Sequence, residues 1–257
     1  MKRRSPYDID LYLEIKRKAG TQDPPEDGTR AIGDRAYAQA GGTRVMEILI
    51  RPEEGRDYRA VEELTRDAFW NLFVPGCDEH YLAHVLRGHP DFLTDLDFVA
   101  LEDGRIVGSI MYSKSRLVDE TGTTMDTLTF GPVCVAPERQ RQGLGSALIR
   151  HSLDAAKARG HRVVVILGHP RDYCRHGFKS AKDLGVSDAA GRFPFGLLAR
   201  ELKEGALRGH SWRFHPSGAY EIDPAAAAEF DKGFEPREKA FRHTQVEFSI
   251  ACRAFVE

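Results

Sequence analysis

Between Val133 and Leu148 the sequence reads VCVAPERQRQGLGSAL, a strand, a glycine-bearing loop and a helix in immediate succession. The Val-x-Val alternation suits a strand, and Pro137 ends it. Leu148, Ile149, Leu153 and Ala156 then give the following helix an apolar stripe. Arg159 and Gly160 mark its end, a cation at the carbonyl terminus and a residue that tolerates the left-handed cap. The first turn of such a helix holds N–H groups with no internal acceptor, and the dipole adds partial positive charge. Together they make an anion site suited to a pyrophosphate. Gly143 and Gly145 have no Cβ, so phosphate oxygens can approach the backbone closely. Arg139 and Arg141 can add charge-assisted contacts. There is no P-loop sequence, and GLGSAL lacks the third glycine of the dinucleotide fingerprint.

The surrounding elements frame that loop. MEILIRP reads as a strand stopped by Pro52. Asp57 to Phe73 has helical spacing, VPGC breaks it, and Asp78 opens a second helix to about Arg87. LDFVALED and GRIVGSIMYSKSRLV meet across Asp103-Gly104, a hairpin signal. MDTLTFGPVCVA is the next strand, with Thr121-Gly122-Thr123 as the turn before it. Pro132 has no N–H to give and should interrupt the ladder or mark a bulge. VVVIL, a continuously apolar run, reads as a strand buried on both faces. Beyond Gly185, FPFGLLARELK, SWRFHP and AYEID are candidate strands, and a last helix is expected near 245–255.

A second informative stretch follows VVVIL: Gly168-His169-Pro170-Arg171-Asp172-Tyr173-Cys174-Arg175-His176-Gly177-Phe178. A short helical turn at Asp172–His176 would end at Gly177. A phenol a few residues past a buried strand can give a proton to a leaving group. A tyrosine that only packs its ring is the plain alternative.

The two stretches together resemble the GCN5-related N-acetyltransferases. Gln140-x-x-Gly143-x-Gly145 after the Val-x-Val strand is similar to that family's acetyl-coenzyme A motif. Tyr173 with Gly177-Phe178 is similar to its Tyr-x-x-x-Gly-Phe element. The resemblance runs from about Met46 to Ser180. PGCDEHYL, FGPVCVAPE, the stretch around GALRG, and EFDKGF resemble a bacterial YhbS-like subgroup, which extends the likeness to about Glu235.

The resemblance implies an α/β fold: a mixed, mostly antiparallel central sheet with helices on both faces and splayed strands around the cofactor. It implies acetyl-CoA as acyl donor, no metal, and acetyl transfer to a primary amine by direct attack in a ternary complex. Main-chain groups of Val133, Cys134 and Val135 would hold the pantetheine arm and polarise the thioester carbonyl. The loop from Gln140 through Arg141, Gln142, Gly143, Leu144 and Gly145 to Ser146 would take the pyrophosphate. Tyr173 would protonate the departing thiolate. A non-catalytic acyl-CoA-binding sensor or partner module is the alternative. For the base that must deprotonate the amine, Glu79, His80, His84, Asp126 and His169 qualify by type, and a water relay would also serve.

Composition sets the limits. The chain has 257 residues, long enough for a core without staples, and the 1–45 stretch, rich in Gly, Pro and charge, reads as a mobile or disordered extension. The domain is expected at 46–257, with its core at about 46–180 and a subgroup-specific part at about 181–257. Thirty-seven basic against 39 acidic residues give a net charge of -2, so no nucleic-acid partner is expected. No apolar run spans a membrane, no signal-peptide core follows the basic start, and four scattered cysteines suit a reduced cytoplasmic protein. A homodimer is compatible with all of this. Cys77-x-x-His80-x-x-x-His84 has zinc-like spacing but lacks a local fourth ligand. The preferred reading is a polar helix face on the acceptor side of a cleft. Cys174 has no His–Asp pair to activate it. Trp212, Phe214 and Tyr220 read as core packing in preference to acceptor recognition.

Overall fold

The computed structural model describes residues 48–257. The extension expected at 1–45 lies outside them. Nine strands are described, all in one sheet: β1 (Ile48–Pro52), β2 (Phe98–Glu102), β3 (Arg105–Asp119), β4 (Thr124–Val135), β5 (Val163–Leu167), β6 (Lys179–Ser180), β7 (Val186–Ser187), β8 (Leu197–Glu201) and β9 (Trp212–His215). Their main order is β1-β2-β3-β4-β5-β8-β6, with β9 beside the far half of β3 and β7 beside β9. Only β4–β5 and β7–β9 are parallel pairs. The sheet is therefore mixed and mostly antiparallel, as expected.

The turns form where the sequence signals them. Asp103 and Gly104 carry φ of 48° and 80°, the paired positive values of a tight hairpin turn. At Pro132 the β3–β4 register shifts between Ile110 and Tyr112, so the bulge expected from a residue without an N–H is present.

Helices α1 (Tyr58–Phe69) and α2 (Glu79–Leu86) lie on one side of this sheet, and α3 (Leu144–Ala158) on the other. Neighbouring residues of β4 show it, because successive side chains of a strand point to opposite faces. Cys134 Sγ lies 3.5 Å from Thr65 Oγ1 of α1. A Cβ on Gly145 of α3 would stand 3.5 Å from Val135 Cγ2. Leu148, Leu153 and Ala156 of the expected stripe are almost wholly buried, as are the first four residues of β5.

Three local readings need correction. AYEID forms no strand; Gly218–Tyr220 is a single 3₁₀ turn opened by Ser217 Oγ, which accepts the Ala219 N–H. Helix α5 (Pro224–Asp231) had no sequence-based expectation. Asp223 caps it by accepting the Ala225 N–H at 2.9 Å, and Pro224 is its first residue. The last helix, α6, runs His243–Arg253, two residues earlier than expected. The turn after β5 is α4 (Pro170–Tyr173) followed by a 3₁₀ turn to His176. Beyond Ser180 the chain continues in the same sheet, with β8 between β5 and β6.

Candidate active site

The site begins where β4 and β5 part. They share a single register pair, Leu128 with Val164. Thr129 Oγ1 then donates to Val165 O at 2.9 Å, and beyond it β4 continues through the Gly131–Pro132 bulge without β5 beside it. The divergence leaves the Val133–Val135 main chain unpaired on the side toward β5.

The loop of residues 136–143 follows directly. Gln140 Nε2 donates to Val135 O at 3.1 Å, and Gln142 Nε2 to Glu138 O at 3.0 Å, so both glutamines brace the loop. Arg141 and Gly143 have φ of 61° and 88°. The latter favours glycine at the start of α3. The N–H groups of Leu144, Gly145 and Ser146 open the helix and have no carbonyl inside it to bond. The first that does is Ala147's, on Gly143 O at 2.9 Å. A Cβ on Gly143 would meet nothing within 4 Å, so the loop is open beside that residue. Arg139 differs from expectation. Its guanidinium grips Glu102 through Nε at 2.7 Å and a second short contact, leaving Arg141 as the loop's exposed cation.

Cys134 contributes main chain only. Its thiol is buried beside Thr65, and burial pushes its pKa up to about 12. Ser146 Oγ lies 3.2 Å from His176 Nε2, which ties the start of α3 to the turn that carries Tyr173.

Tyr173 packs against the core between β4 and the turn after β5. Its ring is 5.7 Å from that of Phe130 on β4 and 6.0 Å from that of Phe178. Gly168, just past β5, lies directly beneath it: a Cβ there would fall 2.3 Å from Tyr173 Cε2. Only glycine lets the phenol come so close. Burial, with Asp172 nearby, raises its pKa and keeps it protonated. Among the described residues no group hydrogen-bonds its hydroxyl.

Tyr220 was read as packing, and here the structure separates the late aromatic residues. Trp212 and Phe214 are buried in a core that includes Val163 and Val165 of β5. Tyr220 packs against Leu82, Ile222 and Ala227, and it also reaches the bulge: its hydroxyl donates to Gly131 O at 3.2 Å and accepts from Ser113 Oγ at 3.3 Å. Nothing local in GAYEID signals that role, which comes from the turn at 218–220.

The candidate bases divide. His80 is fully buried, with Nε2 3.1 Å from Asp231 and Nδ1 3.5 Å from Cys77 Sγ, and burial drives its pKa down to about 4. His84 pairs with Glu62 at 3.0 Å, and Asp126 is exposed at the far end of β4. His169 caps α4 by accepting the Arg171 N–H at 3.2 Å. Glu79 is half-buried, and burial raises its pKa to about 7. The zinc-like spacing does not converge, since His84 turns to Glu62 while Cys77 and His80 face Asp231. Burial also raises the Cys77 thiol. Phe230 of α5 packs on this face, 5.5 Å from His80 and 4.5 Å from His84.

Comparison with known proteins names the family. The profile of the acetyltransferase (GNAT) family matches residues 58–178. The chain is 33% identical over 135 residues to YhbS of Escherichia coli K12, an uncharacterized N-acetyltransferase, and covers 75% of that protein with 52% of its own length. The chain belongs to the GNAT family. It is an acyltransferase. The crystal structure of E. coli YhbS in complex with CoA matches with a TM-score of 0.61 at 24% identity, covering 71% of this chain and 97% of that one. A GNAT family acetyltransferase from Brucella melitensis in complex with acetyl-CoA matches with a TM-score of 0.53 at 25% identity, covering 68% and 99%. Among the described residues no helix is long and apolar enough to cross a membrane.

Proposed function

We propose that this GNAT chain transfers the acetyl group of acetyl-CoA to a primary amine by direct attack in a ternary complex. The observation that carries the reading is the single-pair contact of β4 with β5. It leaves β4 main chain unpaired, with free helix amides at one end and an unbonded phenol nearby, and these would frame the donor cleft. The residues fit the donor: open space beside Gly143 would admit phosphate oxygens. Amides from Arg141 to Ser146 would bind the pyrophosphate. The Val133–Val135 main chain would align the pantetheine arm as a pseudo-strand, and an N–H there would polarise the thioester carbonyl.

Acetyl-CoA supplies an activated acetyl thioester. The protein's part is to orient it, to favour the oxyanion, and to return a proton to the departing thiolate from Tyr173. The neutral phenol and its place beside β4 support that role. Tyr220, by holding Gly131 O, would fix the bulge at the acceptor end. The amine must lose a proton before attack, and Glu79, with a pKa near neutrality, is the strongest of the candidate bases by pKa.

The test is release of CoA thiol from acetyl-CoA across a panel of amines: polyamines, aminoglycosides, amino acids and peptide N-termini. Amine-dependent release with a stoichiometric acetylated product is the expected result. Tight acetyl-CoA binding with no release on any amine would favour a binding module.

A further inference from the structure

Far from the cleft, Asp119, Glu120 and His210 bring one nitrogen and two carboxylate donors within 4.8 Å of one another. Asp119 ends β3, seven residues beyond Tyr112, so at strand rise the cluster lies about 23 Å along that strand from the bulge. His210 comes from the GALRGHSW stretch, which the acetyl-transfer site does not use.

The Asp119 carboxylate is built as a ligand would be. Its side chain is fully enclosed. Oδ1 is saturated, accepting the Thr121 N–H at 2.8 Å, the Thr121 hydroxyl at 2.7 Å and the Thr123 N–H at 2.8 Å. Oδ2 is buried and receives no hydrogen bond, although His210 Nδ1 lies 2.9 Å away. A buried carboxylate oxygen without a donor costs free energy unless a cation meets it. Nδ1 and Oδ2 thus stand side by side, where one cation could meet both. The imidazole is held by Trp212, whose ring lies 5.0 Å away. Glu120 is fixed at the same corner, with Oε2 accepting the Ser211 N–H at 2.8 Å.

We propose that Asp119, Glu120 and His210 form a binding site for a divalent transition-metal ion of the zinc type. One imidazole nitrogen and two carboxylate oxygens are donors that zinc accepts at about 2.0–2.2 Å, with water in the fourth position. Tetrahedral ligands at that bond length stand about 3.3 Å apart, so Nδ1 and Oδ2 need open by only a few tenths of an ångström. Glu120 and His210 are both exposed, so an ion can reach the donors from solvent. Bound there, the ion ties the β3–β4 turn to the loop that leads into β9. The site is structural and independent of acetyl transfer.

The test is calorimetric titration of chelator-treated full-length protein with zinc chloride, in parallel with the His210→Gln and Asp119→Asn variants. One equivalent should bind the wild type and raise its melting temperature, while each variant should lose at least about tenfold in affinity. His210 is exposed, so His210→Gln should keep the metal-free melting temperature even if Asp119→Asn disturbs the turn. Absence of zinc binding by the wild type, or His210→Gln binding as tightly as the wild type, overturns the proposal.

Discussion

Tyr173 shows what a residue's neighbours add to its identity. The phenol followed four residues later by Gly177-Phe178 was legible in the sequence; the glycine that makes room for it, Gly168, was legible only as a residue after a strand. Tyr173→Phe keeps the packing on Phe130 and Phe178 and removes the proton donor. Turnover should fall by about 10²–10⁴-fold, toward the lower end because the CoA thiolate is a fair leaving group, with CoA affinity unchanged by calorimetry. Wild-type turnover with chemistry rate-limiting would reduce the residue to packing. Asp97 was not legible, because its environment comes from three segments distant in sequence. It is 4% exposed; burial and a hydrogen bond with Glu53 raise its pKa to about 9, against the pull of Arg87. A carboxyl whose folded pKa lies above its unfolded value of about 3.9 binds its proton more tightly when folded. Its contribution to stability is complete below pH 4 and is lost as pH rises toward 9. Asp57, whose pKa is lowered by Arg51, works in the opposite direction and only in acid. Melting temperature should therefore decline between pH 6 and pH 9, and Asp97→Asn, which stays neutral, should flatten that decline.

At the scale of elements, the strand–loop–helix unit was read almost to the residue, because each boundary has a local cause: Pro137 stops the strand and Gly143 starts the helix in a left-handed conformation. What the sequence left open was which loop side chains face a ligand. Arg139 looked like a phosphate contact and is held by Glu102, while the two glutamines brace the main chain. Those pairings depend on β2, and no spacing rule within the loop reports them. Gly145 separates binding from folding better than Gly143, whose φ of 88° penalises any side chain. In Gly145→Val the Cβ would stand 3.5 Å from Val135 Cγ2, so its branches would press on β4 and displace the start of α3 with its amides. CoA affinity should fall at least about tenfold, as one lost charge-assisted contact would suggest, with the circular dichroism spectrum retained. Unchanged affinity would remove this loop from the donor site.

At the scale of the whole molecule, the sequence predicts a domain over 46–257 whose part beyond about residue 180 is specific to the subgroup, and that part packs on the core. Beyond β8 in the sheet, the segment after α5 wraps the first two helices. Arg66 of α1 is 2% exposed; its Nε donates to Asp231 at 2.7 Å and its Nη1 to Glu235 O at 2.9 Å. Trp70 Nε1 and Asn71 Nδ2 both donate to Glu238 O, and Arg59 stacks on Phe234. A charged side chain in a helix of mixed composition does not announce that its partner lies 165 residues away. Removing one member of a buried pair leaves the other uncompensated, a cost of about 3–5 kcal/mol. Asp231→Ala should therefore cost about 3 kcal/mol, the lower end, because the Asp231 side chain is 19% exposed and Arg66 keeps the Glu235 carbonyl. Lys232→Ala, which breaks only the surface pair with Glu229, should cost less than about 0.5 kcal/mol. Urea unfolding followed by both tryptophan fluorescence and far-ultraviolet dichroism reads the outcome, since Trp70 lies under this segment and Trp212 in the sheet. Coincident transitions, both shifted in Asp231→Ala, would mean that the C-terminal segment and the acetyltransferase core unfold as one unit. A fluorescence shift with the dichroism transition unmoved would mean that the segment opens by itself.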